Sequence, residues 1–134
     1  MPRHSDPNYG FNTNPYGTAL GTIYPQAMLP TIQQYAPDAY DMSWSSISDW
    51  RNALDAGNPI VLWGTSVFKQ PYYGGLSYPS NTHVQLITGY SLTNNTFSLM
   101  DPYTWSSSSS LKIVNSNTLY NSNAYCGKYA VCIV

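Results

Sequence analysis

Tyr78-Pro79-Ser80-Asn81-Thr82-His83-Val84-Gln85-Leu86-Ile87-Thr88-Gly89-Tyr90 and Thr96-Phe97-Ser98-Leu99-Met100-Asp101-Pro102 are the two stretches whose reading decides the fold. Each is a short apolar run bounded by turn-forming residues, the pattern of a strand. The turn Leu92 to Asn95 joins them into an antiparallel pair. His83 stands at the mouth of the first strand and Asp101, 18 positions later, closes the second, so the pairing is expected to bring the two side chains together. A histidine oriented by a carboxylate is the base half of a nucleophilic triad, in which the base must reach a Ser or Cys. No obvious nucleophile stands upstream of His83. Taken singly, His83 also reads as a strand-end histidine bonded to a backbone carbonyl, and Asp101 before Pro102 as a turn cap.

Outward from this pair, Pro59 to Thr65 is a compact apolar run bounded by Gly57-Asn58, as expected of a buried strand. Before it, Ile47, Trp50, Arg51 and Leu54 recur at helical spacing behind Ser45 or Ser46 as cap, with Asp49 in the first turn and Gly57 just past the end at Ala56. Tyr40 to Trp44 reads as a short strand. Pro25 to Tyr35 reads as a helix that Pro30 caps or kinks. Residues 1 to 26 hold four prolines and three glycines and are expected to form an extended arm with turns. After the hairpin, Ser106 to Ser110 reads as a turn, Leu111 to Val114 as a strand, then a short helix, and Lys128 to Val134 as the last strand. Helices early and strands late give an α+β domain with an antiparallel sheet. The length of 134 residues suits one domain.

Composition narrows the function. Five Lys or Arg stand against six Asp, with no basic stripe, so the footprint of a nucleic-acid partner is lacking. No run reaches the length of a membrane span, and nothing after Met1 reads as a signal peptide. Charged residues are only 8% of the chain while Tyr, Ser, Asn and Thr abound, a balance that fits an extracellular or cell-surface setting. Cys126 and Cys132 have neither a metal spacing nor the number for a disulfide framework, so no metal or other cofactor is expected. Cys132 alternates with Val131 and Ile133 as a core residue. Cys126, before Gly127, is expected to be the accessible one, yet its surroundings offer neither a helix N-terminus nor a cation to activate it. His4 reads as a solvated arm residue. Tyr72, Tyr73 and Tyr78, in the long loop Ser66 to Asn81, are candidates for an aromatic cleft for peptide or glycan, or for loop anchors.

The ordered series Asp6-Pro7-Asn8-Tyr9-Gly10-Phe11, Pro15-Tyr16-Gly17, Ile23-Tyr24-Pro25, Gly57-Asn58-Pro59-Ile60-Val61-Leu62-Trp63, Tyr78 to His83, Thr88-Gly89-Tyr90 and Asp101-Pro102 resembles bacterial papain-like cysteine peptidases related to the bacteriocin-processing, double-glycine-leader group. The resemblance implies a papain-like fold incomplete at its N-terminus: residues 1–134 as one peptidase-like domain, with 1–26 an arm and 27–134 helices and antiparallel sheet. It implies His83 as general base and Asp101 as its orienting partner. It also implies a nucleophilic Cys at a helix start, preceded by a Gln, upstream of the region this sequence covers. Two functional expectations follow: the His and Asp half of a cysteine peptidase acting on peptide or protein, inactive alone, or a non-catalytic binding or structural module of the bacterial surface that keeps the fold. A missing Cys-bearing helix would leave an apolar sheet face uncovered, so the partner is expected to be that segment or a second copy of the chain in a homo-oligomer.

Overall fold

The computed structural model describes residues 2–13, 21–76, 79–102 and 111–134. The Pro15-Tyr16-Gly17 motif, Tyr78 and the Ser106 to Ser110 turn lie outside them. In chain order the elements are α1 (Pro25–Ile32), β1 (Tyr40–Asp41), α2 (Ile47–Asp55), β2 (Ile60–Thr65), a single 3-10 turn (Ser66–Phe68), β3 (Thr82–Ser91), β4 (Thr96–Met100), β5 (Leu111–Asn115), α3 (Ser116–Tyr125) and β6 (Ala130–Cys132). The strands form one antiparallel sheet in the order β1-β6-β2-β3-β4-β5. The α+β class expected from the sequence is what is found.

Local chemistry explains the helices. Ser46 and Asp49 form a capping box on α2: the Asp49 N–H donates to Ser46 Oγ at 3.1 Å, and the Ser46 N–H donates to Asp49 Oδ2 at 2.8 Å. Gly57, with φ +83°, follows its end. Helix α1 starts with Pro25 in its first turn and continues past Pro30 to Ile32, stopping short of the expected Tyr35. Helix α3 is longer than the short helix expected, because Asn115 caps it by accepting from the N–H groups of Asn117 and Thr118.

The two faces of the sheet are covered unequally. On one, α2 and α3 bury Trp50, Ile60, Leu62, Ile87, Phe97, Leu99 and Leu119 in the main core. On the other, α1 packs against β1 and β6 and covers Trp63 and Val131 through Met28, Leu29 and Ile32. Along β4 and β5 no described helix packs on this second face, and Met100, Leu111 and Ile113 are exposed there, Ile113 to 69%. The N-terminal arm is held down by hydrogen bonds to its carbonyls: the Tyr24 N–H donates to Pro7 O at 2.8 Å, and the Trp63 indole N–H donates to Ile23 O at 2.7 Å.

A β-bulge between Ile87 and Gly89 sets which residues share a face. Near the turn Ser91 pairs with Thr96 and Tyr90 with Phe97; past Thr88 the pairs become Ile87 with Leu99 and Leu86 with Met100. Uninterrupted alternation from that turn would have placed Asp101 across from Leu86, on the face opposite His83. The extra residue moves Asp101 across from Gln85, which shares the face of His83.

Helix α3 crosses β2 in close contact. Ser122 Oγ accepts from the Thr65 N–H at 2.8 Å, and Asn123 Nδ2 donates to the carbonyls of Trp63 and Tyr129 at 2.8 and 2.9 Å. Gly64, which pairs with His83, permits this approach, since a Cβ there would stand 2.7 Å from Ser122 Oγ. Gly64→Ala is therefore expected to lower stability by about 1–3 kcal/mol, the usual range for overpacking, read as a fall in the urea midpoint at unchanged slope. An unchanged midpoint would show that α3 does not hold Ser122 against this strand.

Candidate functional site

His83, Gln85, Asp101 and Lys112 converge at one end of the sheet on the face that carries α2 and α3. His83 and Gln85 are alternate residues of β3, Asp101 follows the last residue of β4, and Lys112 stands on β5 across from Leu99. The Asp101 carboxylate is buried and, among the described residues, receives three donors: His83 Nε2 reaches Oδ1 at 2.6 Å, and Gln85 Nε2 and Lys112 Nζ reach Oδ2 at 3.1 and 2.7 Å. A carboxylate accepts only, so the short contact assigns a proton to His83 Nε2; in the neutral imidazole the lone pair is then on Nδ1. Burying the charge is costly unless it is paired and hydrogen-bonded, and here Lys112 supplies the countercharge while Gln85 fills the second lone pair of Oδ2. Lys112 keeps 40% of its side chain exposed.

The loop that leads into His83 is tied at its base by Asn81. Its side chain accepts from the Tyr72 N–H and donates to Gln70 O, and its carbonyl accepts from the Ser66 N–H at 2.8 Å. Val67 and Phe68 both adopt positive φ, 56° and 57°, uncommon for such side chains. Tyr72 and Tyr73 are exposed, and Tyr73 lines a cavity of about 560 Å³ together with Cys126 and Pro79.

The cysteines have the opposite character to an activated thiol. Cys126 is buried, 2% exposed, not accessible as its turn position implied: α3 ends on it, and the turn folds its side chain inward against Thr82 Oγ1 at 3.8 Å. Burial pushes its thiol up to about 11, against a smaller lowering by the Thr82 hydroxyl. Cys132 is fully buried on β6, separated from β3 by β2. His4 is exposed in the arm, its Nδ1 accepting from the Asp6 N–H and its ring against Tyr9. Among the described residues no cluster of His, Cys, Asp or Glu could hold a metal ion, and no helix is long and apolar enough to cross a membrane.

Gln85 and Lys112 were not singled out by the sequence. The signal for Gln85 was a polar residue two positions from His83 inside an apolar strand; for Lys112 it was a lone cation in Leu111 to Val114, whose partner only the β4–β5 register supplies.

Helices on both faces of one antiparallel sheet, with His83 and Asp101 paired at its end, make up an α+β domain. The chain belongs to the Peptidase_C39 like family, whose model matches residues 1–131. Its fold is similar to a crystal structure described as that of a C39-like peptidase from Bacillus anthracis. The TM-score is 0.79 at 21% identity, over 96% of this chain and 68% of the other. No curated protein matches significantly.

Two outcomes follow. The Cys126 thiol ionises later in the folded than in the unfolded chain, so it leaves stability unaffected below about pH 9 and lowers it as pH rises from there toward 11. Urea midpoints across that range should fall, and the fall should shrink in Cys126→Ala; an equal fall in both proteins would refute the assignment. Lys112→Met removes one donor from a buried carboxylate and should cost about 1–3 kcal/mol at neutral pH, a loss that a denaturation curve resolves.

Proposed function

We propose that this chain carries the His and Asp half of a Cys-His-Asp triad, with His83 as general base and Asp101 as the residue that orients it, and that the nucleophilic thiol comes from a polypeptide segment outside these 134 residues. The observation that carries the reading is the 2.6 Å bond from His83 Nε2 to the buried Asp101 carboxylate. It directs the imidazole's lone pair at Nδ1 toward proton transfer and stabilises the imidazolium once formed. Membership of a peptidase family supports peptide as the substrate class.

The chemistry balances as acyl transfer. The thiol gives its proton to His83 Nδ1, and the thiolate attacks the peptide carbonyl carbon. Collapse of the tetrahedral adduct breaks the C–N bond as the imidazolium returns that proton to the leaving amine. Water, deprotonated by Nδ1, then attacks the thioester and releases the acid and the thiol. Asp101 stays ionised throughout, held by Lys112 and Gln85. The buried setting and raised thiol of Cys126 argue that it is not the nucleophile.

The 134-residue chain should show no hydrolysis of a fluorogenic peptide. Extended by the upstream reading frame, or combined with a Cys-bearing polypeptide encoded beside it, it should hydrolyse the peptide. In that active form His83→Ala should cost about 10²–10⁴-fold in kcat, the usual worth of general-base catalysis. Turnover by the chain alone that vanishes in Cys126→Ala would overturn the reading.

The same reading makes the strip of Leu86, Met100, Leu111 and Ile113 the surface on which a covering segment or second copy packs. Light scattering of the isolated chain should give a mass that rises with concentration and falls back to a monomer in Ile113→Lys. A monomer at every concentration would remove the self-association.

A further inference from the structure

Away from His83, three depressions follow one another and share their walls. The first, about 560 Å³, holds Asp6 between Tyr24, Tyr73, Tyr125 and Tyr129. The second, about 490 Å³, shares Asn8, Tyr24 and Tyr129 with the first and adds Asp41, Gln26 and Trp44. The third, about 560 Å³, shares Ser43 and Trp44 with the second and adds Asp49, Asn52 and Tyr40. Each therefore presents one carboxylate against aromatic walls, and the three form a continuous track from the arm, past the start of α1, to the edge strand β1 and the start of α2.

The chemistry of the track is one-sided. Asp6, Asp41 and Asp49 are three of the six carboxylates of the chain, and none of them forms an ion pair among the described residues. Their hydrogen bonds are local: Asp6 Oδ1 accepts from Asn8, Asp41 Oδ1 from the Ser43 N–H, and Asp49 Oδ2 from Ser46. All of these donors are neutral groups of the same turns. Arg3 and Arg51, the basic residues closest in sequence to Asp6 and Asp49, form no ion pair with them among the described residues, and Lys128 carries its ammonium 5.3 Å over the Tyr120 ring, on the other face of the sheet. Tyr24 and Tyr129 stack with centroids 4.5 Å apart as the shared wall of the first two depressions. Burial, with Asp41 and Asp6 nearby, pushes the Tyr129 hydroxyl up, so both carboxylates act on the same ring. Trp44, 73% exposed, divides the second depression from the third and is held in place at φ 67° by its N–H bond to Lys128 O.

We infer that this track is a binding groove for an extended polypeptide segment that carries lysine or arginine side chains, their cationic heads meeting Asp6, Asp41 and Asp49 and their aliphatic stems lying on Tyr24, Tyr129 and Trp44. The inference stands apart from the triad reading, because no residue of the track belongs to the His83 and Asp101 pair. Cationic side chains suit it in both respects: their heads pair with carboxylates and the faces of aromatic rings, and their methylene stems cover apolar surface. An acidic segment would meet three uncompensated like charges.

The test is fluorescence anisotropy of the intact chain with a labelled peptide alternating lysine and serine, beside one alternating glutamate and serine. The lysine peptide should bind, the glutamate peptide should not, and binding should weaken with added salt. The pair Asp6→Asn and Asp41→Asn should lower affinity about tenfold or more, while Asp38→Asn, an exposed carboxylate outside the track, should leave it unchanged. Asparagine keeps the oxygens that accept from Asn8 and Ser43, so the folds of these turns survive. Trp44→Ala, at an exposed ring, gives an independent variant whose affinity should also fall. Equal binding of both peptides, no binding of the lysine peptide, equal losses in Asp38→Asn, or preferential binding of a neutral oligosaccharide would each overturn the inference.

Discussion

The charge on Asp101 is the constraint on which the site depends. A carboxylate buried at the end of a sheet is unfavourable unless nearly every lone pair is met, and three strands supply what is needed: His83 and Gln85 from β3 and Lys112 from β5 around a carboxylate at the end of β4. Order matters as much as identity. With β4 in the middle, the acid lies between its partners and none of them has to reach across an intervening strand. The same interaction places a proton on His83 Nε2, so the electrostatics that make the acid tolerable also orient the imidazole.

That convergence rests on a single irregularity. The bulge at Thr88 puts Tyr90 and Ile87, three residues apart, on the core face opposite Phe97 and Leu99, and in doing so carries Asp101 to the face of His83. The main core and the candidate site thus use one register. Packing of Leu99 and Ile87 under Trp50 resists a slip that would pull the site apart, because the slip would also turn buried apolar residues to water. The close approach of α3 at Gly64 sits beside the same pair, so the helix that seals the core also confines His83.

The molecule has two surfaces of different character. The exposed strip of β4 and β5 is apolar, whereas the track along the arm, α1 and β1 is aromatic and lined by carboxylates. The near neutrality of the whole chain conceals this, since three of its five basic residues are engaged elsewhere: Lys112 on Asp101, Arg51 over Tyr90 and Phe97, and Lys128 over Tyr120.

Much of the fold was legible locally. Ser46, Asp49 and Gly57 punctuate α2, the branched run Ile60 to Thr65 is a strand because little else can bury it, and the spacing of His83 and Asp101 marks a hairpin with chemistry at its open end. What remained illegible depends on contacts between distant residues. Local turn chemistry predicted an accessible Cys126, but α3 and the arm bury it; nothing around residue 126 in the sequence records that Thr82 and Tyr24 will stand there. Lys112 was only a cation in an apolar strand until β5 paired with β4. The sequence by itself determined the elements, the class and the residue types of the site, because capping, alternation and turn propensity act over a few neighbours. Only the tertiary structure decided which face those residues share, since one bulged residue reverses every side chain beyond it, and no local preference for Thr88 foretells that reversal.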